Sequence, residues 1–418
     1  MAITAIRGFN DILPGESEIW RRIESEAYRI FSGFGFSEIK LPVVEKTELF
    51  LRSIGETTDI VEKEMYTFAD RHGDALTLRP EGTASAVRAY IEHKLYTSPV
   101  TRLYYTGPMF RYERPQKGRY RQFYQIGAEV LGELNPRADA ETLVMLIRFF
   151  DAIGLKGVDL QINSLGCPEC RPVYKKVLLE FLKGRKEALC ENCVRRIDTN
   201  PLRALDCKSH GCIEATKDAP PISASLCPTC SEHFESVKKT IALNGINATV
   251  NPRMVRGLDY YTKTTFEITA TGLGSQNAVA AGGRYDRLVE DLGGPATPCF
   301  GFAVGVERVA LLLKEGETET RPMTVFIALG EEAEKKGIEL LKGWREEGIR
   351  VVEEFSGGSL KSRMKRADRL GASYAVILGD DELKDGVVVL KDMKTAAQEK
   401  VPWDAVAGKI RKVPADVE

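Results

Sequence analysis

Between Phe110 and Glu129 the chain reads FRYERPQKGRYRQFYQIGAE, and its second half alternates in a way that could hold a small polar ligand. If that half is extended, a period of two sorts Tyr124, Ile126, Ala128 and Val130 onto one side as an apolar floor. Arg121, Phe123, Gln125, Gly127 and Glu129 then point the other way. An amide and a carboxylate stand side by side on that face, with a glycine leaving room between them. Arg111 and Glu113 share a face of the preceding segment. The same residues would also serve as an ordinary solvated sheet face with cross-strand ion pairs. In LRPEGT, Glu81 and Thr83 offer a carboxylate that only accepts and a hydroxyl, which together suit an ammonium group. They also sit where a helix begins, and there such oxygens are favoured simply as caps and dipole partners. Arg308 lies at the start of an apolar helical run, where a cation opposes the helix dipole. It therefore wants an anion, either Glu307 beside it or a phosphate.

A second chemistry is written in sulfur. Between Cys167 and Cys230 come CPEC, CENC, CKSHGC and CPTC, which use eight of the nine cysteines. Short gaps let both thiolates of a pair reach one tetrahedral ion. Two zinc sites of four thiolates each would use Cys167, Cys170, Cys190, Cys193, Cys207, Cys212, Cys227 and Cys230. Disulfides are an alternative that a reducing cytosol disfavours. Inert buried thiols are another, against which the clustering in pairs argues. Only four histidines are present, so a His-based metal site has little to draw on.

The elements that must position these groups can be read from periodicity. LYYTGPM and RQFYQIGAEVLG flank Arg114–Gly118, which carries Pro and Gly where a type I turn wants them, so a hairpin with a basic tip is expected. Residues 16–32 space Ile19, Trp20, Ile23, Ala27, Ile30 and Phe31 as a helix, ended by Gly33 and Gly35. FSEIKLPVVE then reads as one strand with Pro42 near an edge. Residues 76–94 read as strand, turn and helix, 138–152 as a helix, and VDLQIN as a strand. The aromatic, β-branched MVRGLDYYTKTTFEITA is strand-like. AAGGRYDRL holds Gly282 and Gly283, which permit close approach of backbone to a ligand. CFGFAVGVERVALLL is a strand entering an apolar helix. Residues 314–322 form a linker, and four strands separated by helical patterns follow as an α/β unit. There Lys361, Lys365 and Arg369 make a basic stripe, which is either a solvated helix face or an RNA contact.

Length and composition agree with this division. A chain of 418 residues has a prior of about three domains, and its 43% hydrophobic and 28% charged residues suit a globular protein. No run approaches the roughly 20 apolar residues that span a bilayer, and MAITAIRGFNDILPGE lacks the features of a signal peptide, so a cytoplasmic location is expected. A net charge of −1 gives no global attraction to nucleic acid, so any RNA contact must be local.

The quoted stretches together resemble the class II aminoacyl-tRNA synthetases in their bacterial histidyl form. FRYERPQKGRYRQFYQIGAE is similar to the second class motif, helix 16–32 with its proline-bearing strand to the first, and GVERVALLL to the third. RGLDYY and AAGGRYDRL resemble the two histidine boxes, NPLRALDCK the insertion, and SLKSRMKRADRLGA the anticodon-binding domain. The resemblance implies an α+β fold: an antiparallel sheet core flanked by helices, a cysteine-rich helical insertion, and a C-terminal α/β anticodon-binding domain. Its boundaries would be 1–166 and 251–318 for the catalytic core, 167–250 for the insertion and 323–418 for the C-terminal domain. It implies ligation of L-histidine to tRNA(His) through an adenylate, using ATP with Mg²⁺, by a homodimer. Glu81, Thr83 and Gln125 would hold the amino group, Glu129 and Tyr261 the imidazole, with Tyr260 and Tyr285 lining the pocket. Arg111 and Arg256 would serve the α-phosphate, and Glu113 and Arg308 would orient ATP. Many relatives fold the insertion without such cysteines, so a metal there would be structural. The alternative within reach is a histidine-sensing regulatory subunit of ATP phosphoribosyltransferase, which by family analogy lacks the insertion and the anticodon domain.

Overall fold

The computed structural model describes residues 2–54, 58, 60–255, 260–274, 277–313 and 322–410. The chain forms two compact units, residues 1–317 and 318–418. The first is built on an eight-stranded sheet. In order across it run 37–38, 101–110, 122–131, 299–305, 278–284, 262–270, 158–164 and 248–250. Its two outermost pairs are parallel and every pair between them is antiparallel.

Alternation along these strands gives the sheet two unlike faces. Ile126, Ala128 and Val130 lie in the main core with Phe266, Phe300 and Phe302, and Tyr124 packs against it. Helices Glu16–Gly33 and Pro136–Ala152 bring Trp20, Phe31, Phe149 and Phe150 to the same core. Each Phe or Trp so buried removes 150 Å² or more from water, roughly. That side is closed, and the opposite face is left for the site.

Pro42 interrupts the expected FSEIKLPVVE strand. Ser37–Glu38 pairs with the edge of the large sheet, whereas Val44–Lys46 joins 75–78 and 66–69 in a separate three-stranded sheet. A proline has no N–H for a ladder, so the chain changes sheets there.

The cysteine-rich stretch folds around a small core of its own, with Tyr174, Leu178, Leu182, Ile197, Leu205 and Ile222 buried. Its last part is built into the main body. Phe234, Val237 and Ile241 of helix Pro228–Leu243 enter the main core, and Ala248–Val250 extends the large sheet.

The C-terminal unit is a five-stranded sheet in the order 351–353, 324–328, 374–378, 387–392, 398–402. The first three strands are parallel and the last two antiparallel. Sequence periodicity finds four of them and misses Gln398–Pro402, an exposed edge strand whose one buried residue is Val401. Lys361, Lys365 and Arg369 lie on helix Leu360–Arg369. Residues 314–321, which carry the expected linker, lie outside the described residues.

Candidate functional site

The central hairpin forms as its alternation predicts. Thr101–Phe110 pairs with Gln122–Leu131, placing Leu103 opposite Glu129, Tyr105 opposite Gly127 and Gly107 opposite Gln125. The first strand stops at Phe110, so Arg111 and Glu113 belong to the connecting loop and not to the strand face. The tight turn falls at Gln116–Arg119, where the two residues exchange backbone hydrogen bonds of 3.0 and 2.9 Å. Gly118 takes φ +70° there, a conformation outside the type I turn that the sequence suggests.

The loop nevertheless delivers both side chains. The Arg111 Nε donates to the Pro80 carbonyl at 2.8 Å and its guanidinium lies over the Phe123 ring at 5.2 Å. Glu113 is ion-paired with Arg119. With Glu81, Thr83, Gln125, Tyr260, Tyr261 and Arg308, Arg111 and Glu113 line one cavity of about 340 Å³. Arg119 and Glu267 also line it and escaped sequence reasoning. Arg119 sits in a loop, where strand periodicity says nothing. Glu267 alternates with buried Phe266 and Ile268 on strand Thr262–Ala270, and that alternation was its available signal.

Glu81 carries both of its readings at once. Its carboxylate accepts the N–H groups of Thr83 and Ala84 at 2.7 and 2.9 Å, capping helix Thr83–Glu92, while it also faces the cavity. Burial raises its pKa, opposed by those two N–H groups and by the charge of Arg111. Glu129 is buried completely. Its Oε1 accepts the Thr83 hydroxyl at 2.8 Å and the Tyr105 hydroxyl at 3.1 Å, and its Oε2 accepts the Tyr285 hydroxyl. Burial pushes this carboxyl up to about 8, against the three hydroxyl bonds that favour its charged form.

The room left by Gly127 is already filled. A Cβ at Gly127 would lie 2.3 Å from the Tyr105 ring, and one at Gly82 would lie 2.1 Å from it. The glycine gap therefore admits a tyrosine and not a ligand. Gly282 and Gly283 are corrected in the same sense. A Cβ at Gly282 would meet the Gly301 carbonyl at 2.2 Å, and at Gly283 the Thr264 carbonyl at 2.6 Å. These glycines permit close approach of neighbouring strands.

Arg308 is not taken by Glu307. Glu307 instead accepts the Tyr124 N–H at 2.8 Å, and burial raises it to about 7. The Arg308 guanidinium donates to the carbonyls of Gly118 at 3.0 Å and Ala278 at 2.6 Å. Burial, then the charges of Arg119 and Arg111, lower its pKa. Three guanidiniums thus line the cavity, of which Arg119 is paired with Glu113, and such groups suit an anion. Arg121 stands apart, stacked 3.9 Å over Tyr112. Arg256 lies outside the described residues.

The eight clustered cysteines resolve into two quartets, the first pair with the fourth and the second with the third. In Cys167, Cys170, Cys227, Cys230 and in Cys190, Cys193, Cys207, Cys212 the four sulfurs lie within 4.8 Å of one another. A tetrahedral ion with metal–sulfur bonds of about 2.3 Å needs sulfurs roughly 3.8 Å apart. None of the eight is joined in a disulfide in this structure. Backbone N–H groups of Cys227 and Cys190 donate to the sulfurs of Cys170 and Cys212 at 3.0 and 3.1 Å, as they would to thiolates holding a metal.

Residues 8–309 match the profile of the family described as histidyl-tRNA synthetase, and residues 324–413 that of an anticodon binding domain. A histidine–tRNA ligase of Geobacter sulfurreducens is 58% identical over 401 residues, spanning 96% of this chain and 97% of that protein. One from Geobacter metallireducens is 56% identical over 412 residues, 98% of this chain and 100% of its own. The crystal structure of apo S. aureus histidyl-tRNA synthetase superimposes with a TM-score of 0.80 at 36% identity, covering 98% of this chain and 100% of that one.

Proposed function

The chain belongs to the histidyl-tRNA synthetase family, and from that membership and the cavity we propose that it activates L-histidine with ATP and passes the histidyl group to tRNA(His). The observation that carries this reading is a single cavity lined both by ammonium-binding oxygens and by three arginines. Glu81, Thr83 and Gln125 take the α-amino group. The imidazole N–H is assigned to Glu129, which the Thr83 hydroxyl on the cavity wall already contacts, and Tyr261 serves the other ring nitrogen. Tyr260 lines the pocket, and Tyr285 stands behind it on Glu129. A substrate without a ring N–H would forgo one hydrogen bond to that carboxyl, which costs about 1 kcal/mol.

Histidine's own carboxylate is the nucleophile, so the first step needs no general base. The protein's task is to hold that carboxylate in line with the α-phosphorus and to stabilise the charge that develops there. Arg111 and Arg256 are assigned to the α-phosphate, and Glu113 and Arg308 to the orientation of ATP, with Arg119 added by its place in the cavity. Mg²⁺ accompanies ATP and, when bound, screens the leaving diphosphate. Hard oxygen donors suit it, and the cavity carboxylates Glu113 and Glu267 are those that would hold it.

For the cysteine quartets we assign Zn²⁺, one ion to each. Residues 1–166 with 251–318 are assigned to catalysis, 167–250 to the insertion, and 323–418 to tRNA recognition. The homodimer is assigned to the region of helix 16–33, and a cytoplasmic location follows the translation role; among the described residues no helix is long and apolar enough to cross a membrane. The regulatory-subunit reading is disfavoured by the near full-length identity to ligases and by the matched anticodon domain. Histidine-dependent exchange of diphosphate into ATP tests the whole assignment. Purified protein that binds histidine but exchanges nothing would return the regulatory reading.

A further inference from the structure

The two cysteine quartets occupy unlike places. Cys190, Cys193, Cys207 and Cys212 stand within the insertion's own core region. Cys167, Cys170, Cys227 and Cys230 close its base, where the chain leaves the large sheet after Ser164 and returns to the main body in helix Pro228–Leu243. From each half of this outer quartet a line of contacts runs back to the cavity.

The first line starts at Cys170, which opens helix Cys170–Lys183. The next residue, Arg171, donates from Nη2 to the Tyr261 carbonyl. Beside it, Leu165 N–H donates to the Lys263 carbonyl at 2.7 Å and Lys263 N–H to the Gly166 carbonyl at 2.9 Å. The backbone on both sides of Thr262 is thereby tied to the approach to the quartet. Tyr261 packs on Tyr260 with ring centroids 4.7 Å apart, and Tyr260 meets Tyr285 edge-on at 5.7 Å.

The second line starts at Cys230. One turn later His233 places Nε2 3.0 Å from Asp139 Oδ2. Asp139 and Arg284, both fully buried, form an ion pair in which Arg284 Nε lies 3.2 Å from Oδ2. Arg284 also holds the Glu133 carbonyl and Asp286, each at 3.0 Å. It immediately precedes Tyr285, whose hydroxyl holds Glu129. The inner quartet's region connects to the main body differently, through Arg253 Nη2, which donates to the Thr216 hydroxyl at 2.9 Å.

We propose that the outer quartet, filled by Zn²⁺, is a positioning site for the histidine pocket: it fixes the origins of the Arg171–Tyr261 and His233–Asp139–Arg284 contacts and so sets Tyr260, Tyr261 and Tyr285. The proposal rests on the zinc and synthetase assignments above. Four metal–thiolate bonds hold two chain segments far apart in sequence at a fixed separation, which four free thiols do not. A displacement of about 1 Å in positioning groups is enough to matter, since misplacement on that scale can cost roughly 10²-fold.

The experiment compares wild type with Cys227→Ser/Cys230→Ser, Cys207→Ser/Cys212→Ser, Arg171→Ala and Arg171→Lys. Zinc content and the KM values for histidine and ATP in diphosphate exchange are measured on full-length protein. The outer-site variant should lose about one of two ions and raise the histidine KM about tenfold, with the ATP KM within about twofold. Arg171→Ala should reproduce that split with both ions retained, and Arg171→Lys should recover part of it. The inner-site variant should lose an ion with the histidine KM within about threefold. If the outer variant does not fold, Arg171→Ala alone decides. A histidine KM within about twofold of wild type in Arg171→Ala, or equal shifts for histidine and ATP, overturns the proposal. Wild type with normal exchange and no zinc overturns the metal assignment and this proposal with it. Two ions without exchange overturns the synthetase assignment instead.

Discussion

Tyr105 lies directly across the hairpin from Gly127, and its ring occupies the volume that a side chain there would need. From that position its hydroxyl reaches Glu129 at 3.1 Å. Gly127→Ala would drive a methyl to 2.3 Å from the ring, and a buried aromatic packed on backbone has little freedom to retreat. The variant should lose about 1–3 kcal/mol of stability, read as a lower Tm, and raise the histidine KM well above that for ATP. Tyr105→Phe keeps the packing and removes one hydrogen bond, so its Tm should fall much less, by the equivalent of about 1 kcal/mol. Equal stability of Gly127→Ala and wild type would mean that the ring has another place to go.

Arg308 faces the cavity together with Arg111 and Arg119, and Glu307 does not neutralise it. The charges of Arg119 and Arg111 lower the pKa of Arg308, and the proposed role of this group of guanidiniums is to hold a triphosphate. Arg308→Ala should therefore raise the ATP KM roughly ten- to a hundredfold, about 1.4–2.7 kcal/mol, with a smaller change for histidine. Arg308→Lys keeps the charge but loses the fork that spans two carbonyls, and should fall between. An ATP KM unmoved in Arg308→Ala would limit this residue to bracing the Gly118 and Ala278 carbonyls.

Much of this site is legible in the sequence because strand alternation is a strict geometric rule. It places Gln125 and Glu129 on one face and Ile126, Ala128 and Val130 on the other, as observed. The rule says which way a side chain points and not what stands opposite. Tyr105 is therefore invisible as the occupant of the Gly127 space, and Gly282 reads as room for a ligand when strands 262–270 and 299–305 crowd against its hairpin. Loop residues obey no period, so alternation extends the strand to Arg111 and Glu113, which lie beyond its end, and carries no signal for Arg119. Spacing likewise groups cysteines into pairs but cannot match pair with pair. The nested arrangement depends on where the chain leaves and re-enters the sheet.

The C-terminal unit carries Lys361, Lys365 and Arg369 on one exposed helix, while its Arg363 and Arg366 are spent on Glu354. Glu354 is held down to about 2, first by its hydrogen bond from Arg366. Among the described residues Lys361, Lys365 and Arg369 form no ion pair, and this stripe is the proposed RNA contact. Charge reversal of all three residues to Glu should leave diphosphate exchange intact and raise the KM for tRNA about tenfold or more, increasingly at low salt. Removal of residues 323–418 should have the same signature in stronger form. Full-rate charging of tRNA by the charge-reversed protein would give this domain another role.

Glu129 yields the sharpest pH prediction. An unfolded glutamate titrates near 4.3, and this one is raised to about 8, chiefly by burial. Between those values the folded chain binds a proton that the unfolded chain does not. Stability from this group is therefore complete below about pH 4, falls by up to about 1.4 kcal/mol per pH unit through the window, and levels off above 8. Glu129→Gln keeps the shape and a hydrogen-bonding oxygen but cannot titrate. Its unfolding free energy relative to wild type should thus improve steadily from pH 5 to 8 and then stay constant. Function follows the same group, since the imidazole N–H needs an acceptor and a carboxylate accepts better than a carboxylic acid. In wild type, kcat/KM for histidine should show a free-enzyme inflection near pH 8 that the glutamine variant lacks. Parallel stability curves for the two proteins, measured by denaturant unfolding across pH 5–9, would show Glu129 to be ionised throughout that range in the folded protein. The upward shift assigned to its burial would then be wrong.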